Sequence, residues 1–169
     1  MALVIIPGDP SANSYVSEAE ADTYFENRLY SDAWNSFVQK EQALILSTSM
    51  IDWYIDFIGY KTDPAQALDW PRTDAIRYSG VEIPVDEIPP EVKTATYELT
   101  LSMIESDVTQ DWDLQGFKKV KADVLEIEVD GSSNNPAPNA MPDRIYKILS
   151  DLTRNSNTSG VKVIRLGRA

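Results

Sequence analysis

Residues 62–90 decide the fold: Thr62 to Pro90 reads TDPAQALDWPRTDAIRYSGVEIPVDEIPP. This is a long connection between two helical patterns. Loops of such length inside a compact domain are uncommon, and they tend to serve function or assembly. Its centre is Gln66-Ala67-Leu68-Asp69-Trp70-Pro71-Arg72, and it leaves through Ile88-Pro89-Pro90. Pro71 biases Trp70 toward an extended backbone. Pro89 stops the loop, and Pro90 falls where a first helical turn accepts proline. Leu68, Trp70, Pro71, Arg72, Pro89 and Pro90 are therefore expected to anchor the loop to the flanking helices, with Trp70 a staple in preference to a direct binding group.

Upstream, residues 1–16 read as extended chain around a Pro7-Gly8-Asp9-Pro10 turn. Ser17 and Glu20 form the Ser-x-x-Glu pattern of a capping box. A helix from there to about Arg28 would place Ala21, Tyr24, Phe25 and Leu29 on one face. Ser31 or Asp32 caps a short turn carrying Trp34 and Phe37. Gln39 to Phe57 has a wide apolar stripe, which marks it as the central helix, with Gly59 as its left-handed cap.

Downstream, Pro90 opens a helix to about Glu105, with Val92, Ala95, Leu99 and Met103 on one face. Residues 106–116 are acidic and polar. In FKKVKADVLEIEV, residues 117–129, Leu125, Ile127 and Val129 alternate with Glu126 and Glu128, the period of a half-buried strand. Phe117, Lys119, Val120, Leu125, Ile127 and Val129 are expected in a β-hairpin that contacts the helices or a neighbouring subunit. A linker at 130–142 precedes a helix from Asp143 to Leu152. The fold expected is mainly α: a small bundle of about four helices in one domain, 1–153, with this hairpin and an extended C-terminal arm, 154–169.

The chain has 169 residues, no cysteine, no histidine and a net charge of −12. Residues 154–169 hold four basic residues and no acidic one, so residues 1–153 carry −16. An acidic body disfavours polyanions, whereas a short basic tail suits a separate partner surface. In the arm, Val161, Lys162, Val163, Ile164, Arg165, Leu166 and Arg168 mix apolar and basic groups, as in a segment donated to another chain. No signal peptide or membrane span is expected, and the lack of cysteine fits an intracellular product.

No specific chemistry emerges. Nucleophile–base pairs lack their histidine and cysteine, and the glycines form no phosphate loop. Asp107, Asp111 and Asp113 read as a solvated acidic loop in preference to a cation site. A base-stacking platform interleaves aromatics with Lys or Arg. Tyr15, Tyr24, Tyr30, Trp34, Trp53, Tyr54, Trp70 and Tyr97 instead lie at core spacings or beside acids, so core packing is expected of them. No catalytic, cofactor or metal residue is expected.

From residue 12 to 152 the chain resembles a family found in tailed-phage genomes. The resemblance rests on the order NSYVSEAEADTYFENRL, KEQALILSTSMIDW, TDPAQALDWPRTD and VEIPVDEIPPEVKTATYELTL. Its most specific parts are Gln66 to Arg72 and Ile88-Pro89-Pro90-Glu91-Val92. The family carries the label DnaT-like single-stranded-DNA-binding protein, while its members look like head-to-tail adaptors of the phage neck. The resemblance implies a non-catalytic protein made in the host cytoplasm and built into the virion neck. It would form a ring of about twelve copies under the portal protein and meet a tail terminator or other neck component below. DNA would pass through the channel without specific binding, and the segment Val161 to Arg168 would dock on the portal. The second function class is the label taken literally, a single-stranded-DNA-binding replication accessory.

Overall fold

A computed structural model of the chain describes residues 2–105 and 141–154. The expected hairpin (Phe117, Lys119, Val120, Leu125, Ile127, Val129), the acidic loop and the arm from Val161 to Arg168 lie outside them. Within them the protein is mainly helical, with five helices and one short antiparallel strand pair.

Helix α1 spans Glu18–Glu26 and starts at the expected capping box. The Ser17 hydroxyl accepts from the Glu20 amide at 3.1 Å, and the Ser17 amide donates to the Glu20 carboxylate at 2.8 Å. Two orphan amides are thereby satisfied. The helix stops before Arg28, so Leu29 swings outward and is 79% exposed instead of joining the core. Helix α2, Asp32–Ser36, buries Trp34, whose indole N–H donates to Asp22. Ser31 is the residue before it, but its hydroxyl donates back to Phe25 and Arg28 carbonyls and caps nothing.

Helix α3 spans Lys40–Tyr54 and α4 spans Pro90–Glu105. The central helix is α4, not α3. Every residue from Ala95 to Ser102 is buried, because α1, α2, α3 and α5 surround it. Small and hydroxylated residues permit this. Thr96 and Thr100 return their hydroxyls to carbonyls one turn back, and the Ser47 and Thr100 hydroxyls meet at 2.7 Å across the α3–α4 contact. The wide stripe of α3 has a different outcome: its outer face leaves Leu46, Trp53 and Tyr54 in solvent.

Helix α3 ends earlier than its hydrophobicity suggests. Ile55 is already extended, and Ile55 and Phe57 turn into the core as a strap leading to Gly59. Gly59, at φ 71°, makes the turn into strand β1, Tyr60–Lys61, and is not the helix cap. Strand β1 pairs with β2, Arg72–Thr73, in the register Tyr60 with Thr73 and Lys61 with Arg72.

Helix α5 spans Asp143–Leu149 and passes into a 3-10 turn, Ser150–Leu152. Arg144 reaches the Glu98 carbonyl near the middle of α4. Asp151 meets Arg77, which in turn grips Glu91 at the start of α4. Hence α5 runs antiparallel to α4. The chain then returns to the strap: the Ile58 amide donates to Leu152 and the Arg154 amide to Asp56, both at 2.9 Å.

Candidate nucleic-acid interface

The loop 62–90 is a structural clasp. Trp70 is 1% exposed and meets Phe57 edge to face, with centroids 5.6 Å apart. Pro71, Arg72 and Pro89 are buried, Leu68 is half-buried against the core, and Pro90 is exposed at the first position of α4. The Trp70–Pro71 bond is cis. Arg72 looks like a phosphate ligand by residue type, yet its guanidinium is spent on backbone. It donates to the Ile58, Gly59 and Asp69 carbonyls at 2.8, 2.9 and 3.1 Å. Gln66, which sequence reasoning passed over as an anchor, is buried and ties Asp63, Leu68 and Pro71 together. A glutamine in a polar loop gives no periodic signal, so only the fold reveals it.

Beneath the loop, Asp52 of α3 accepts from the Tyr15 hydroxyl and from the Asp69 amide. The Tyr15 hydroxyl also accepts from the Trp70 amide, so one part-buried network joins the N-terminal arm, α3 and the loop. Burial raises the Asp52 carboxyl to about 7, with the nearby Asp69 charge acting the same way, against the Tyr15 hydrogen bond and the Lys61 charge. Burial, reinforced by Asp52, also pushes the Tyr15 hydroxyl well above its ordinary range.

The cations of the described body are largely neutralised by its own carboxylates. Glu98 gathers Arg28 at 2.5 Å and Arg144 at 3.3 Å, along with the Tyr24 hydroxyl. Burial works against the Glu98 charge, but the Arg28 and Tyr24 hydrogen bonds outweigh it and hold the carboxyl below its usual range. Lys40 pairs with Asp22 and Lys93 with Glu20, both at 2.8 Å. Arg77 grips Glu91 at 2.7 Å, and Lys61 and Arg72 share Asp69. Arg154 lies 3.8 Å from its carboxylate, Asp56, and donates to the Gly59 carbonyl, and Lys147 makes no ion pair among the described residues.

The aromatic residues divide. Tyr15, Trp34, Trp70 and Tyr97 are core groups, and Tyr24 stacks on Tyr97 with centroids 4.5 Å apart. Tyr30, Trp53 and Tyr54 are not: they are exposed, against the expectation of core packing. Trp53 and Tyr54 close the open face of α3, and the strap carries the chain from them to Tyr60, which is also exposed. Arg154 sits over the Tyr60 ring at 5.5 Å. One corner thus gathers exposed aromatic side chains with the Arg154 guanidinium. No grouping of metal ligands occurs among the described residues, and none of their helices is long and apolar enough to cross a membrane.

These features define a small, acidic, mainly helical protein with an aromatic corner where its described chain ends. The chain belongs to the family described as putative DnaT-like ssDNA binding protein, whose model matches residues 1–169. No curated protein and no solved structure matches it. The family description backs the second function class read from the sequence, single-stranded-DNA binding, better than the adaptor class, for which the comparisons offer nothing.

Proposed function

We propose that the protein is a non-catalytic binder of single-stranded DNA. The observation that carries this is family membership over the full chain. The exposed aromatics are compatible with it, since every base offers a π-face whatever its sequence. The paired cations limit the mode of binding. A body whose Lys and Arg are already engaged by carboxylates releases few counterions, so affinity would rest on stacking and few phosphates. The test is titration of a fluorescent oligothymidylate at several salt concentrations. Binding with a shallow salt slope is expected; no binding at low salt overturns the reading.

A second reading, the head-to-tail adaptor, is favoured by one specific observation. The same self-paired, acidic surface suits a channel wall that must let DNA slide past. In that reading the protein rings the portal beneath a phage head and docks through Val161–Arg168. Mixing it with the portal encoded beside it and imaging the product by electron microscopy is the test. A ring stacked on the portal, lost when residues 161–169 are deleted, would establish this reading, and no association would remove it.

A further inference from the structure

We propose that single-stranded nucleic acid is held at the corner formed by the end of α3, the strap after it and the chain after α5, with bases stacking on Trp53, Tyr54 and Tyr60. This rests on the single-stranded-DNA reading above and gives it a location.

Stacking needs an accessible ring. Trp53 is 72% exposed, Tyr60 64% and Tyr54 50%. Tyr30 and Tyr78 are exposed too, but they stand on separate loops. Among the described residues, only the corner places several open rings along a continuous stretch of eight residues, 53 to 60. The geometry of that stretch is fixed. Phe57 bridges to Thr153, and Arg154 ties its backbone amide to the Asp56 carbonyl and its guanidinium to the Gly59 carbonyl. A platform held in this way loses little side-chain and loop freedom on binding.

Charge favours the same place. Arg154 has a distant carboxylate and already lies over Tyr60, an arrangement in which guanidinium and ring can meet a nucleotide together. The described chain ends at Arg154, and the sequence beyond it supplies Lys162, Arg165 and Arg168 with no acid among them. Asp56 is the carboxylate that opposes a phosphate at the corner; its side chain is 63% exposed.

The experiment uses the full chain and a 15-nucleotide oligothymidylate, with thermal melting as a control for folding. Trp53→Ala and Tyr60→Ala should each weaken binding about 5- to 150-fold, the range that stacking of about 1–3 kcal/mol per base converts to. Asp56→Asn should tighten it several-fold at low salt. Tyr30→Ala, on the loop between α1 and α2, should leave it unchanged. If the wild-type chain binds but Trp53→Ala and Tyr60→Ala bind equally well with unchanged melting, the corner is not the site, although the DNA-binding reading survives. If the wild-type chain binds no oligonucleotide at low salt, both fall. Should either alanine variant melt early, quenching of Trp53 emission in the wild-type chain, taken as the difference from Trp53→Phe, decides in its place: no quenching overturns the site.

Discussion

Asp52 is a carboxylate placed where charge is costly. Burial, with Asp69 close by, raises it to about 7, far above an unfolded aspartate near about 3.9. A group raised in the folded state contributes stability that is fully present below the unfolded value and is lost as pH rises through the folded one. Asp52 therefore favours the fold most below about pH 4 and least above pH 7. The expected outcome is that Asp52→Asn, isosteric and uncharged, flattens this part of the profile. Between pH 5 and 8 the wild-type denaturation midpoint should fall relative to the variant, by on the order of 2–3 kcal/mol in stability. Parallel profiles would mean that Asp52 is ionised throughout. Trp70 gives the complementary case, with a large apolar ring buried and packed on Phe57. Trp70→Ala should cost about 3–5 kcal/mol, read from chemical denaturation, whereas an unchanged midpoint would contradict its burial. The two sites differed in legibility. Trp70 announced itself as a large apolar group followed by proline. Asp52 looks like any exposed helical acid until the fold covers it with Tyr15 and the loop.

At the scale of elements, the strap after α3 is the pivot. Gly59 turns the chain from the strap into β1 at φ 71°, and a side chain there would meet the Thr73 carbonyl oxygen at 2.4 Å and the Ala75 amide nitrogen at 2.9 Å. Gly80, at φ 81°, opens on empty space. Both substitutions to alanine carry left-handed strain of about 1–2 kcal/mol. Only Gly59→Ala adds a collision with backbone, so its thermal midpoint should fall clearly further than that of Gly80→Ala. Equal losses would show that the strap yields. The capping box of α1 and the Pro90 start of α4 were legible because capping chemistry is local in sequence. The end of α3 was not. Its apolar stripe continues through Ile55 and Phe57, and only packing against the clasp and α5 peels them into extended chain.

For the whole molecule, electrostatics set the terms. The described body pairs most of its cations with its own carboxylates, and the basic segment follows its last described residue. Deleting residues 161–169 removes Lys162, Arg165 and Arg168. The melting curve should not change. On the single-stranded-DNA reading, the slope of log affinity against log salt should shrink by about 2, since each phosphate contact on a single strand contributes about 0.7. An unaltered slope would place the phosphate contacts elsewhere. By itself, the sequence determined the helical class, the capping box of α1, the staple at Trp70, the clasp prolines and the split between acidic body and basic tail. Each of these is written in local periodicity, in backbone chemistry or in composition. Tertiary structure alone decided that α4 and not α3 is central, that Arg72 and Gln66 serve backbone, that β1 pairs with β2, and that Trp53, Tyr54 and Tyr60 face solvent. Helical period identifies an apolar face but not what covers it. That depends on which neighbours arrive from distant parts of the chain: four helices enclose α4, and none among the described residues covers the outer face of α3.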